Sequence, residues 1–431
     1  MASAIVTGAT GITGNAIVHH LCKDPSYTKL YTLSRRNPGA SDPKIQHVTI
    51  DLQGSADNMA THLADISAEY TYFCAYMAHE DANELCRING TMLANFLTAL
   101  EKTGAIRNLK RFILTCGFKQ YGVHLGNCKQ PLLEDDPLLE NDLGGRGAGA
   151  KWPPNFYYTE QKILRDAASR HGNTWDWIVT LPEDVLGYAR GNFMNEATAL
   201  GLYCSVSKLL PGSELPFPGC KAGYFAFNTW TSANMHARFC LWAAAAKKEV
   251  GNNVFNVTNG DTQSWQDLWP RLAKRFGCRV PQPMFPNGGI PDTPGYMGFD
   301  SKTVRMPGAH PLTARAEDLG VSHNPSTEET PTLFLQIDPE KWAKRPDVND
   351  AWVRLRDKYG LDQTAWEGAT WDFLTFALGR SWSCVGSMSK ARKFGWTGYA
   401  DTWEELEETF RVLEREGVLP SAERLKADFE M

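Results

Sequence analysis

The sequence predicts an α/β protein, a doubly wound parallel sheet with a smaller, mainly helical C-terminal lobe. Three observations predict it. Short apolar runs alternate with amphipathic stretches over the first 190 residues, the rhythm of βαβ units. The first of those runs leads straight into Gly8-Ala9-Thr10-Gly11-Ile12-Thr13-Gly14. Past residue 190 the rhythm breaks, and turn signals and helical patterns take over.

In chain order the expected strands are Ala4–Thr7, Lys29–Ser34, Ile45–Ile50, Thr71–Tyr76, Arg111–Thr115 and Trp175–Leu181. Runs such as Phe112-Ile113-Leu114 and Trp177-Ile178-Val179 are continuously apolar, as strands buried on both faces of a parallel sheet must be. Helices fall between them at Asn15–Cys22, Asp81–Thr103 and Tyr157–His171. Residues 1–190 are thus read as a dinucleotide-binding domain and 191–431 as a substrate lobe. Within the second part, Leu210-Pro211-Gly212 and Phe217-Pro218-Gly219 mark turns before a helix at Ser232–Lys248. A strand at Val254–Val257 and a helix at Trp265–Phe276 follow, and 254–278 is expected to return to the first sheet. Residues 279–347 are rich in Pro and Gly and poor in periodicity, which reads as an irregular flap centred on 280–345. Helices at Val348–Tyr359, Trp366–Leu378 and Trp403–Glu416 are expected to close the chain.

Composition narrows the function. A net charge of −5 with no Lys/Arg block argues against nucleic acid or an anionic membrane as partner. The cysteines are scattered without a Cys-x-x-Cys pair, a reduced cytosolic pattern that offers neither a zinc site nor a disulfide framework. The apolar stretch around Phe239–Ala246 is too short to span a bilayer, and nothing ahead of Ala4-Ile5-Val6 resembles a secretory signal. A soluble, cytoplasmic protein without a metal is expected, and a homodimer is compatible with this reading.

Gly8, Gly11 and Gly14 form Gly-x-x-Gly-x-x-Gly between the first strand and the first helix, the Rossmann arrangement for a dinucleotide pyrophosphate. Glycine there permits a tight turn, close approach of backbone N–H groups to the phosphates, and tight helix–strand packing, while the helix N-terminus favours the anion. The second strand ends Leu33-Ser34-Arg35-Arg36, with no acid to hold a ribose 2′-hydroxyl. Two guanidiniums suit a 2′-phosphate instead, so the expected cofactor is NADP(H). Asp51-Leu52 at the end of the third strand reads equally as an adenine contact or a strand-end cap.

Reductases on this fold commonly use a tyrosine hydroxyl assisted by a lysine. Two constellations are available here: Tyr158 with Lys162, at Tyr-x-x-x-Lys spacing, and Tyr157 with Lys119, the latter just beyond the fifth strand. Successive helical residues point about 100° apart, so only one of Tyr157 and Tyr158 can face a nicotinamide. Cys116 reads as a small buried strand-end residue and His19-His20 as surface or packing residues. The tryptophans (Trp152, Trp230, Trp265, Trp269, Trp342, Trp352, Trp366, Trp371) read as mostly core, with a few lining an apolar cleft; Phe118 is expected to line that cleft.

Asn155-Phe156-Tyr157-Tyr158, Gly117-x-Lys119-x-Tyr121 and Phe255-Asn256-Val257-Thr258-Asn259-Gly260-Asp261 with Trp265 carry a family resemblance. Gly219-Cys220-Lys221, Trp242-Ala243-Ala244 and Ser387-Met388-Ser389-Lys390 extend it. Together they resemble the progesterone 5β-reductase/iridoid synthase (PRISE-like) family, atypical extended short-chain dehydrogenases/reductases, over most of the chain except roughly 280–375. The resemblance implies NADPH-dependent 1,4-reduction of an enone or enal on an apolar small molecule, with Tyr157 as oxyanion donor and Lys119 as its partner. It also implies cofactor contacts at Thr10, Gly11, Ile12, Arg35, Arg36, Asp51, Leu52, Tyr76, Thr115, Tyr157 and Val185, with Asn192-Phe193-Met194 near the nicotinamide. The chain departs from the family in three places. Gln161-Lys162 replaces an acidic pair, Leu181-Pro182-Glu183-Asp184 replaces Arg-Pro-Gly, and Met77 followed by His79-Glu80-Asp81 stands where a tryptophan is common. Carbonyl (1,2-) reduction or a cofactor-bound cyclisation or isomerisation on the same site is the alternative chemistry, and an NADPH-sensing regulator the non-enzymatic one.

Overall fold

The computed structural model describes every residue except 1, 38, 40, 41, 140–151, 192–194, 292, 323–329, 430 and 431. The apolar runs become β1 (Ala2–Thr7), β2 (Tyr27–Ser34), β3 (Ile45–Thr49), β4 (Tyr70–Phe73), β5 (Arg111–Thr115) and β6 (Asp176–Pro182). A seventh strand, Asn253–Val257, pairs with β6. All seven run parallel in the order Asn253–Val257, β6, β5, β4, β1, β2, β3. Strand order therefore reverses between β1 and β4, and a crevice outside the carboxyl ends of the strands at such a switch point is where this architecture binds ligands.

Alternation along each strand divides the core into two layers. Ile113 and Ile178 face α1 (Ile12–Lys23) and the helix Ala233–Ala245. Phe112, Leu114, Val179 and Leu181 face the other layer, built from α2 (Ala56–His62), α3 (Ala82–Thr103) and α4 (Phe156–Arg170). The helix ends follow from capping chemistry. Asp81 caps α3 by accepting the Glu84 N–H, and Asn155 caps α4 by accepting the Tyr157 N–H at 3.0 Å.

The C-terminal lobe is organised around α5 (Glu196–Ser207), every residue of which is buried. A helix without a polar face leaves no 3.6-residue period to read, which is why it is not among the sequence-predicted elements. Trp230, Trp265, Trp269, Trp342, Trp352 and Trp366 all belong to the core around it. The expected helix Trp366–Leu378 is instead two, Gln363–Glu367 and Trp371–Gly379, separated at Gly368-Ala369-Thr370. The segment read as irregular holds a two-stranded antiparallel pair, Lys302–Arg305 with Thr332–Leu335. Among the described residues no helix is long and apolar enough to cross a membrane, and no cluster of His, Cys, Asp and Glu could hold a metal ion.

Candidate active site

The glycine loop closes the carboxyl end of β1. Gly8 adopts φ +64°, and a Cβ there would stand 2.7 Å from the Cys74 carbonyl oxygen. A Cβ on Gly14 would stand 2.2 Å from the Gly8 carbonyl oxygen, so neither position accepts a side chain without rebuilding the turn. The Gly11 N–H bonds back to the Gly8 carbonyl at 2.8 Å. Helix α1 then begins with no side-chain cap and no acid in its first turn. Its leading N–H groups and positive dipole end are left for an anion. Gly8, Thr10, Gly11 and Ile12 are half-buried, and Ile12 packs on Gly187, two residues beyond Val185. The segment that follows β6 therefore passes beside the loop.

At the end of β2, Arg35 and Arg36 are exposed, and neither guanidinium has an ion-pair partner among the described residues. The Ser34 hydroxyl donates to the Arg36 carbonyl at 2.7 Å and sets the turn that presents them. Asp51 caps its own turn: Oδ1 accepts the Gln53 N–H at 3.0 Å while the carboxylate stays exposed. The Leu52 side chain is buried in the sheet core. Beyond β4 the Tyr76 ring, 44% exposed, lies 5.5 Å from Phe156, which in turn lies 4.2 Å from Tyr157. Thr115 ends β5 with its hydroxyl 3.4 Å from Cys74 Sγ.

Tyr157 and Tyr158 part company at the start of α4. The Tyr157 hydroxyl reaches the carboxyl ends of β5 and β6, where a Cβ on Gly117 would stand 3.0 Å from it and 3.2 Å from the Pro182 carbonyl oxygen. It has no hydrogen-bond partner among the described residues. The Tyr158 hydroxyl is committed to the backbone, donating to Gln120 O at 2.6 Å and accepting from Leu139 N at 3.1 Å. Lys162 stands in solvent, 77% exposed, paired with Asp166 one turn on at 2.7 Å. The Lys119 backbone is anchored by Asn155 Nδ2, which donates to its carbonyl at 2.7 Å. The residue is exposed, and partial burial of its charge lowers its pKa by desolvation.

Burial, and then the negative forms of Cys116, Glu160 and Tyr76, push the Tyr157 hydroxyl well above its ordinary value. It is therefore a protonated donor. The charge of Lys119, just beyond β5, acts on His124. Phe118 is 4% exposed, with its ring edge-on to Tyr121 at 5.5 Å and packed on Gly386. The ring belongs to the core cluster of the α2–α4 layer. Cys116 is also buried, and its raised pKa keeps it a thiol. Asn192, Phe193 and Met194 lie outside the described residues.

Glu183 and Asp184 turn inward. Glu183 is 2% exposed and accepts a hydrogen bond from the Thr229 hydroxyl, while Asp184 pairs with Arg380 of the lobe at 2.6 Å. Glu196 of α5 joins this cluster and accepts from Trp230 Nε1 at 3.1 Å. The pair thus ties β6 to the lobe. Three neighbours of the site carry no sequence-stretch signature of their own: Glu160, buried on α4; His124, pushed down to about 3 by burial and the Lys119 charge; and Arg380. Helical spacing from Tyr157 was the one signal that could have marked Glu160.

The motifs scattered along the chain converge behind the site. Tyr121 donates to Asn256 Oδ1 at 2.6 Å, and Asn256 Nδ2 donates to the carbonyls of Leu132 and Ser387. Residues 4–294 match the family described as PRISE-like Rossmann-fold domain. An uncharacterized protein of Schizosaccharomyces pombe is 34% identical over 421 residues, covering 97% of this chain and 98% of that protein. An (S)-8-oxocitronellyl enol synthase of Camptotheca acuminata is 26% identical over 431 residues, covering 97% and 93%. Among solved structures, the Bordetella bronchiseptica enzyme WbmG in complex with NAD superposes with a TM-score of 0.55 over 97% of this chain and 96% of that one. At 11% identity this is a likeness of fold.

Proposed function

Because the chain belongs to the PRISE-like family of progesterone 5β-reductases and iridoid synthases, we propose that it is an NADPH-dependent reductase that adds hydride to the β-carbon of an enone or enal on an apolar small molecule. The observation that carries this reading is the position of the Tyr157 hydroxyl, unpartnered beside Gly117, while the Tyr158 hydroxyl is spent on the backbone. The cradle fits a dinucleotide: Gly8 and Gly14 leave no room for side chains, and the start of α1 offers uncapped N–H groups to a pyrophosphate. Arg35 and Arg36 would hold a 2′-phosphate, which favours NADPH over NADH.

When bound, NADPH supplies the hydride. Tyr157 donates a hydrogen bond to the substrate carbonyl oxygen as negative charge develops on it. The high pKa of that hydroxyl keeps the donor proton in place between turnovers. Lys119, its backbone fixed through Asn155, is assigned to orient the ribose and to assist Tyr157. The test is NADPH consumption across a panel of enones and ketones by the wild type and by Tyr157→Phe. The reading requires turnover on enones that collapses in the variant while NADPH binding survives. Binding without turnover on any of them would favour a cofactor-sensing protein instead.

A further inference from the structure

Glu160 stands three residues after Tyr157 on α4, so the two side chains share one face of the helix. It is 2% exposed, and its carboxyl makes no hydrogen bond or ion pair among the described residues. Four titratable groups face it from the elements packed around it: Tyr157 on its own helix, Tyr76 beyond β4, Cys86 on α3 and Cys116 beyond β5. None of them is a cation. A buried carboxylate without a partner is costly, whereas the neutral acid is tolerated. This site therefore selects the protonated form.

We propose that Glu160 is a positioning residue for Tyr157, a neutral carboxyl in the wall behind the tyrosine whose ionisation opposes the charge that Tyr157 must stabilise. The inference rests on the reductase reading. In the acid form, the wall adds no charge, and negative charge can gather on the oxygen to which Tyr157 donates. Loss of the Glu160 proton to solvent places a carboxylate in the same low-dielectric pocket, where it repels that charge. Burial pushes the Glu160 carboxyl up to about 8, so the switch falls within reach of physiological pH. A packing role alone would be met by an apolar side chain and would give no such pH dependence.

The experiment pairs a pH profile with an infrared titration on the full chain. With NADPH and an enone, wild-type kcat/KM is expected to fall about tenfold per pH unit above about 8, and Glu160→Gln, neutral at every pH, is expected to lack that limb. The wild-type minus Glu160→Gln infrared difference should contain a protonated-carboxyl stretch at neutral pH that disappears through the same range. Turnover with an unchanged alkaline limb in Glu160→Gln, or no such stretch at neutral pH, overturns the role of Glu160 alone. Absence of wild-type turnover overturns the reductase reading and the role of Glu160 with it.

Discussion

The Tyr157 hydroxyl oxygen lies 3.0 Å from where a Cβ on Gly117 would stand, so the bare backbone at 117 is what lets that hydroxyl reach the end of β5. Gly117→Ala should displace the tyrosine ring and lower turnover while sparing NADPH affinity. Tyr157→Phe should cost about 100-fold or more in kcat, the scale of one lost oxyanion donor, with little change in stability. Tyr158→Phe should behave in the opposite sense. It strands the Gln120 carbonyl and the Leu139 N–H, costs about 1–2 kcal/mol of stability, and leaves kcat near wild type. Thermal unfolding and steady-state kinetics on the three variants separate these outcomes.

The two lysines make an equally clean contrast. Lys162 is a solvent-exposed i,i+4 partner of Asp166, and such pairs contribute about 0–1 kcal/mol, so Lys162→Ala should leave stability and turnover close to wild type. Lys119→Ala removes the proposed partner of Tyr157 and of the ribose, and should lower kcat/KM. Kinetics that reversed this order would overturn the role proposed for Lys119.

Arg35 and Arg36 are the residues proposed to favour NADPH over NADH. Each charge-assisted contact to a phosphate is worth about 1.5–3 kcal/mol, so replacing both by alanine should weaken NADPH binding by at least about tenfold and leave NADH binding unchanged. Fluorescence titration of the two reduced cofactors reads this directly. Equal losses for both would mean that the arginines do not contact a 2′-phosphate.

The contribution of the buried carboxyls to stability should fall as pH rises from about 4.5 to about 8. Burial raises Glu160 from 4.5 to about 8 and raises Glu183 and Glu196 as well. Between the unfolded and folded values the native state keeps protons that the unfolded chain releases, and rising pH then favours unfolding. Glu160→Gln should therefore raise the thermal midpoint at pH 8 and change it little at pH 4. A variant less stable than wild type at pH 8 would contradict the sign.

What could be read from the sequence was what local chemistry dictates. The glycine loop and the first, second and fifth strands are set by residues adjacent in the chain, and each ends where its pattern placed it, whereas the fourth strand stops at Phe73, three residues short of the expected Tyr76. The spacing of Tyr158 and Lys162 illustrates the limit. It satisfies a motif, yet Lys162 points to solvent and the Tyr158 hydroxyl is held by backbone from two loops. Helix α5 was hidden because it is buried on all sides, and the inward turn of Glu183 and Asp184 depends on Thr229 and Arg380, far away in the chain. The Gly386 segment that packs on Phe118 comes from the other end of the sequence, a contact no local pattern announces.

The central claim is hydride delivery to carbon at the Tyr157 site, and the position of an isotope label tests it most directly. With NADPH deuterated at the transferring C4 position and an α,β-unsaturated ketone, the account predicts one deuterium on the carbon β to the carbonyl. That label should vanish with Tyr157→Phe. Deuterium on the carbinol carbon would mean 1,2-reduction, and an unlabelled product would mean chemistry without hydride transfer; either result contradicts the account.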